Sequence, residues 1–309
     1  MASVIWKLAI SAALVTWLGV RYAGDQQFLD TLRSLDPWAF VSACGVVAAG
    51  LVISALRWKV LLGALGVSLA LPRAVRLYFV GYFFNQFLPT TVGGDVVRGT
   101  GVGAGVPLSL IGSSILMERA LGFGCLLGIG VTASFVRPEM AAVRLSLLFA
   151  TLVYVVGLGV LGFVPLPRSE RQGRLGKGLR GLRRVALQFR SYGFHPMALL
   201  GGVVLSLGWQ LALVVANALL SQGLGGVASF RSLLALVPVV QAVSMIPVSF
   251  GGLGVREMGY EFFFRASALE PAGGVALAAG FLGVTITLAL AGGLVYLIAP
   301  VRPREVDGG

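Results

Sequence analysis

Long apolar runs dominate the pattern of hydrophobic and polar positions along the chain. The hydrocarbon core of a bilayer is about 30 Å thick, so a helix that crosses it needs about 20 mostly apolar residues. Six stretches approach or exceed that length, and we expect each to be a membrane-spanning helix. These stretches are 4–20, 38–56, 108–135, 141–163, 197–222 and 272–298.

The first of these stretches has a second interpretation. Lys7 followed by an apolar run is also typical of a secretory signal peptide. No small-residue cleavage site stands out near Arg21, so we expect the segment to be a retained span.

Two further apolar stretches are too short to cross a bilayer. Residues 74–88 and 231–246 number 15 and 16, and each run stops at a proline, Pro89 or Pro247, followed by a glycine-rich segment. At about 1.5 Å per residue such a helix is only about 23 Å long. We therefore predict two broken helices that enter the membrane and turn back. The first hairpin covers residues 74–106 and the second covers residues 231–268.

The two breaks resemble each other in sequence. Residues 88–98 match residues 246–256 at one offset of 158 (247 − 89). Adding the same offset to the spans 38–56 and 108–135 gives 196–214 and 266–293, which lie close to two spans of the second half. Chance similarity of short Pro/Gly motifs is the alternative explanation. We predict a duplication into residues 1–138 and 139–309, and the three spans between the hairpins would invert the second copy. Inverted repeats with broken helices are typical of secondary transporters.

Composition places the chain in the membrane. Hydrophobic residues make up 57% and charged residues 12%, about half the share usual in soluble domains. So few charges cannot cover the surface of a soluble fold, which excludes an ordinary soluble enzyme, a disordered protein and a nucleic-acid-binding protein.

Basic residues predict the orientation. They concentrate in the connections 57–76 and 164–196, while the connection around Asp30 is acid-leaning. Short basic loops stay in the cytoplasm. We therefore expect a multi-pass protein of the cell membrane with both termini and the basic loop 164–196 on the cytoplasmic side.

Several ionisable residues lie near the predicted hairpins, where each charge at a helix centre costs roughly 2.5–3.5 kcal/mol on insertion scales. One interpretation is mutual neutralisation, because Asp95 and Arg98 are three residues apart and Glu261 and Arg265 four. The other interpretation is phosphate binding. Arg98 and Arg256 occupy equivalent positions after Gly-Gly turns, whose backbone N–H groups can hold an anion together with the guanidinium forks.

Other polar residues near the breaks add candidates. Glu118 and Glu257 could accept a proton or meet a cationic headgroup, and Asn85 and Gln241 could bond a polar substrate or join helices. One histidine and two cysteines offer little material for a metal site or a nucleophile. We expect no catalytic residue, no metal and no cofactor. The predicted substrate-binding residues are Asn85, Asp95, Arg98, Glu118, Arg119, Arg256 and Glu257.

These same motifs resemble the membrane domain of the lysylphosphatidylglycerol synthase/flippase family. The resemblance rests on Asn85 to Pro89, Gly93 to Arg98, Met117 to Arg119 and Pro247 to Glu257, and it extends over nearly the whole chain. It implies a polytopic helical bundle which, in the best-understood members, moves a modified phospholipid between leaflets. The residues that we expect to shape the hairpins are Pro89, Gly93, Gly94, Pro247, Gly251, Gly252 and Gly254, and all of them except Gly93 and Gly251 are characteristic positions of the family.

Two departures from the family limit what the resemblance implies. The sequence contains no soluble aminoacyl-transferase domain, so we do not expect it to make lysylphosphatidylglycerol. The last span, 272–298, has no charge, whereas many members have an arginine there.

These observations together predict an all-α membrane protein with six spans and two re-entrant hairpins in an inverted repeat. The predicted function is translocation of a lipid with an anionic or phosphate-bearing headgroup, with membrane lipids as partners. A membrane enzyme of lipid or polyprenyl-phosphate sugar metabolism and a non-transporting membrane subunit are the alternatives.

Overall fold

The structure is a computed structural model that describes residues 2–22, 24–88, 93–103, 105–136, 141–163, 173–245 and 252–301. Within these ranges it is helical, without a β-strand. The helices are α1 (Ala2–Tyr22), α2 (Gln26–Arg33), α3 (Pro37–Ala64), α4 (Leu71–Phe87), α5 (Gly93–Thr100), α6 (Leu108–Val136), α7 (Ala141–Phe163), α8 (Gly173–Ser191), α9 (Pro196–Gly223), α10 (Phe230–Ser244), α11 (Val255–Ala266) and α12 (Pro271–Ile298).

The all-α membrane fold is confirmed. In the described part of the chain, 5 helices are long and apolar enough to cross a membrane, and they correspond to the last five predicted spans. The first predicted span is helical as α1. The number of helices that cross a bilayer stays a prediction, because length and composition alone define these candidates.

Helices α3 and α9 are a matched pair. Each has 28 residues with a proline in its first turn, and their first residues are 159 positions apart (196 − 37). Each is followed by a Leu-Gly stop in which the glycine has positive φ, +77° at Gly66 and +84° at Gly225. A left-handed residue of this kind ends a helix and suits glycine, which has no Cβ to clash. A duplication would produce such a repeated length and stop, and the duplication itself stays a prediction.

The matched helices pack against each other along their lengths in opposite directions. Ala39, near the start of α3, faces Gly223 at the end of α9, and Gly50 faces Trp209. A Cβ at Gly50 would lie 2.7 Å from the Trp209 ring, so glycine allows this close approach. Antiparallel packing of two equivalent helices is what an inverted repeat requires, and the inversion itself stays a prediction.

Both predicted breaks separate short helices. Helix α4 has 17 residues and α10 has 15, and α5 and α11 follow them. Each short helix packs on the last long helix of the other half, α4 on α12 and α10 on α6, so the two halves interlock. Pro89, Pro247 and Gly251 lie outside the described residues. The depth to which the hairpins enter a membrane stays a prediction.

The first hairpin is closed by a side chain and a close backbone approach. The backbone N–H of Gly94 donates to Oδ1 of Asn85 at 2.9 Å. A Cβ on Gly94 would overlap the carbonyl oxygen of Gly81 in α4. Gly93 begins α5 on the other side of the turn. Asn85 and Gly94 thus meet where α5 folds back onto α4.

The second hairpin uses glycine differently. Gly252 and Gly254 have φ of +80° and +82°, which an L side chain rarely adopts. The N–H of Gly254 donates to Oε2 of Glu257 at 2.7 Å and so caps the start of α11. These two glycines are therefore required by the backbone conformation.

The basic connections differ from the predicted loops. Arg57 was expected in the loop 57–76, but α3 continues to Ala64 and buries Arg57 to 6% exposure. The helix does not end at its first charge because an acid inside the bundle neutralises that charge, as described below.

Helix α8 occupies much of the basic segment 164–196. Its face with Ala186 and Phe189 is buried, and it packs on α6. The hydroxyl of Tyr192, just after α8, donates to the carbonyl of Leu61 in α3 at 2.9 Å. The segment is thus anchored to the bundle by an amphipathic helix, and its cytoplasmic location stays a prediction.

Candidate functional site

Six polar side chains from four helices meet in the interior of the bundle, and we call them the central cluster. Helices α3 and α4 supply one each, and α5 and α6 supply two each. The members are Arg57, Tyr78, Asp95, Arg98, Glu118 and Arg119. Charged groups buried inside a membrane-protein bundle are rare and mark functional sites.

Glu118 is the centre of the cluster. It is only 2% exposed and accepts hydrogen bonds from three donors. The Nη2 atoms of Arg57 and Arg98 lie 2.8 and 2.7 Å from its two carboxylate oxygens, and the hydroxyl of Tyr78 also donates to it. Helices α3, α4, α5 and α6 are therefore tied together through one carboxylate. Buried charge is tolerated when it is paired and hydrogen-bonded in this way.

Asp95 completes the network. Nη2 of Arg98 lies 2.9 Å from its Oδ1, which confirms the pair inferred from their spacing of three residues. On the other side, Nε of Arg119 donates to its Oδ2 at 2.8 Å. Each acid of the cluster thus bridges two arginines.

Aromatic rings hold Arg98 in place. Its guanidinium carbon lies 4.7 Å from the ring centre of Trp58 and 4.5 Å from that of Tyr78. The indole N–H of Trp58 is fixed in turn by Ser114 at 3.0 Å. A guanidinium within about 6 Å of a ring face is attracted by the ring quadrupole. Arg98 is thus oriented by packing as well as by its ion pairs.

The cluster borders a cavity of about 270 Å³, which we call the central cavity. Pockets for small molecules usually measure about 300–1,000 Å³, so this volume suits a headgroup and not a whole lipid. Besides the cluster, the described residues that line it come from α6, α9, α10 and the residue after α10. They are Gly122, Phe123, Leu126, Trp209, Gln210, Leu213, Gln241 and Met245.

Some donors of the lining arginines are unused. In the described part of the chain, Nε and Nη1 of Arg98 and Nε of Arg57 are buried without a hydrogen-bond partner. Leaving a charged donor unsatisfied is costly, and each such group calls for an explanation. These three atoms are themselves buried, so an anion in the central cavity would have to draw the guanidinium groups toward it to supply the missing acceptors.

The formal charge of the cavity favours the same conclusion. Its described lining contains three arginines and two acids, which leaves one excess positive charge. Residues 89–92 and 246–251 lie outside the described residues, and their sequences contain no ionisable side chain. A site with one sign of excess charge concentrates ligands of the opposite sign.

The second hairpin has a different arrangement. Arg256 bonds its neighbour Glu257 through Nε at 3.2 Å and Nη2 at 3.0 Å, and its guanidinium lies 5.5 Å from the Phe281 ring centre. Helix α12, which supplies Phe281, contains no acid, whereas α6 supplies Glu118 in the first half. The equivalent arginines occupy unlike surroundings.

The structure brings together four of the seven predicted binding residues: Asp95, Arg98, Glu118 and Arg119. Asn85 closes the first hairpin instead, and Arg256 and Glu257 form their own pair. None of these three belongs to the described lining of the central cavity. Substrate binding by any of the seven stays a prediction.

Sequence reasoning missed two members of the cluster, Arg57 and Tyr78. Arg57 was assigned to a loop because the apolar run ends near it. The repeated Leu-Gly stops at Gly66 and Gly225 were a usable signal, since they place Arg57 inside α3. Nothing local distinguishes Tyr78 from other aromatic residues of α4.

The sequence model of the lysylphosphatidylglycerol synthase TM region matches residues 4–293. The chain belongs to this family. It is a family of membrane proteins linked to lipid handling, as the resemblance implied. Comparisons with curated proteins and with solved structures give no match.

Proposed function

We propose that this family member moves a lipid with a phosphate-bearing, anionic headgroup between the leaflets of the cell membrane. The observation that carries the proposal is Arg98, a buried arginine in the lining of the central cavity, two of whose donors have no hydrogen-bond partner. Planar guanidinium forks suit phosphate oxygens. Membership of a lipid-handling membrane family supports a lipid as the source of that phosphate.

The cluster offers a path from rim to interior. The side chain of Arg119 is 39% exposed, whereas those of Arg98 and Glu118 are almost fully buried. A headgroup would first meet Arg119 and then exchange its partners for Arg98, while the acyl chains stay in lipid. Because Asp95 bridges both arginines, it can hold either one while the other binds phosphate.

A leaflet-accessibility assay tests the proposal. Purified protein is reconstituted into liposomes containing a fluorescent phosphatidylglycerol, and a membrane-impermeant quencher measures how fast the inner-leaflet lipid becomes accessible. Arg98→Lys retains the charge but loses the planar fork, so we expect the rate to fall about tenfold or more. Arg33→Lys, in an exposed pair with Asp30 on α2, is the matched control and should leave the rate unchanged.

The same assay separates the alternatives. Mass spectrometry of the recovered lipid would show a chemical change if the protein is an enzyme. Equal quenching in protein-containing and empty liposomes would contradict translocation. Equal rates for Arg98→Lys and the parent chain would contradict the assigned role of Arg98.

A further inference from the structure

A second, larger concavity lies beside the central cavity, and we call it the lateral groove. Its volume is about 860 Å³, and it is bounded by α6, α9 and α10 with Tyr154 of α7. The wall is almost entirely apolar. Its described lining consists of Leu121, Gly124, Cys125, Gly128, Ile129, Thr132, Ala133, Val136, Tyr154, Val203, Leu207, Arg231, Leu234 and Ala235.

The groove has the length of a lipid chain. Its wall on α6 runs from Leu121 to Val136, which are 15 residues apart (136 − 121) and therefore about 22 Å apart along the helix. One leaflet of hydrocarbon is about 15 Å thick, half of a core of about 30 Å. One acyl chain of one leaflet can therefore lie along this wall.

One end of the groove is charged. Helix α10 runs against α6 in the opposite direction, because Met245, the residue after α10, lines the central cavity with Gly122, while Val239 faces Gly130. This direction places Arg231, in the first turn of α10, at the Val136 end of α6. Arg231 is the only charged residue in the described lining of the groove.

An apolar groove whose described lining ends at a cation is complementary to a phospholipid. Its acyl chain matches the wall of α6, and its phosphate matches Arg231. We propose that the lateral groove binds one anionic phospholipid, with an acyl chain along Leu121–Val136 and the phosphate on Arg231. Because α6, α9 and α10 border both concavities, we identify this lipid with the substrate of the central cavity, a step that rests on the proposed function.

A bulky substitution at a glycine of the groove wall can block the lateral groove. A Cβ added at Gly128 meets no atom within 4 Å, whereas one at Gly124 would lie 2.7 Å from the Tyr154 hydroxyl. Gly128→Phe therefore fills the groove without displacing a neighbour. Gly157→Phe on α7 is the matched control, because a Cβ there also meets no atom within 4 Å and Gly157 does not line the groove.

Photo-cross-linking in liposomes tests the site without requiring transport. The probe is phosphatidylglycerol with a diazirine in one acyl chain, and mass spectrometry maps the labelled peptides. We expect labels on Leu121–Val136 of α6, reduced at least fivefold by Gly128→Phe and unchanged by Gly157→Phe. Arg231→Gln should also reduce the labelling at least fivefold, and Arg33→Gln should not.

The outcomes separate this site from the proposed function. Equal labelling in the Gly128→Phe and Gly157→Phe proteins, or cross-links from α6 to a second copy of the chain in place of lipid, would overturn the groove site. Labelling of α6 that falls in Gly128→Phe and Arg231→Gln but not in their controls supports the site, even if the leaflet assay shows no lipid movement. An absence of movement would reject only translocation. Movement that depends on Arg98 without groove labelling would reject only the groove.

Discussion

Replacing Glu118 with Gln is the most direct test of the central cluster. The substitution keeps the shape of the side chain and removes the charge that pairs with Arg57 and Arg98. Both arginines are buried, with side chains 8% and 5% exposed, so water replaces the lost partner poorly. Removing one partner of a buried pair usually costs about 3–5 kcal/mol.

The structure places the expected cost near the lower end of that range. Arg98 keeps its contact with Asp95 at 2.9 Å, and Arg57 keeps its hydrogen bond to Ser206 at 2.9 Å. These remaining partners offset part of the loss. We therefore expect the free energy of unfolding to fall by about 3 kcal/mol.

A matched acid-to-amide change supplies the control. Asp30→Asn removes the ion pair between Asp30 and Arg33, in which Nη1 of Arg33 lies 3.6 Å from Oδ1 of Asp30. The two side chains are 71% and 73% exposed. Exposed pairs contribute only about 0–1 kcal/mol. Denaturant titration of the detergent-solubilised protein, followed by tryptophan fluorescence, measures both variants. A loss below about 1 kcal/mol for Glu118→Gln, or no greater than that for Asp30→Asn, would refute the structural role assigned to this carboxylate.

Three further predictions follow from the fold. Gly94→Ala should prevent closure of the first hairpin and lower the thermal unfolding temperature far more than Gly45→Ala, whose Cβ meets no atom within 4 Å; similar temperatures would contradict the close approach. Burial raises the pKa of Tyr192, so the neutral phenol stabilises the folded protein below the ordinary tyrosine pKa of about 10, and this contribution is lost as pH rises above that value. Tyr192→Phe should therefore lose less stability at alkaline pH than the parent chain, as measured by unfolding from pH 8 to 11. In a background without native cysteines, Arg184→Cys should react with an impermeant maleimide only from the cytoplasm and Asp30→Cys only from outside; labelling of both from one face would contradict the predicted topology.

The sequence by itself determined the features that depend on local geometry and on total apolar content. Long apolar runs become helices because backbone groups in a membrane must be satisfied within the segment. The short runs before Pro89 and Pro247 gave the broken helices α4 and α10. The pairs Asp95–Arg98 and Glu261–Arg265 also followed from sequence, because helix pitch fixes which side chains share a face.

Only the tertiary structure decided how distant charges combine. Glu118 lies 61 residues from Arg57 and 20 from Arg98, and their pairing depends on how α3, α5 and α6 pack. The repeated motif predicted that Arg98 and Arg256 would act alike, yet the surrounding helices give one an acid and the other the ring of Phe281. Local spacing sets contacts within a helix, whereas a cavity and its charge depend on which faces of separate helices meet.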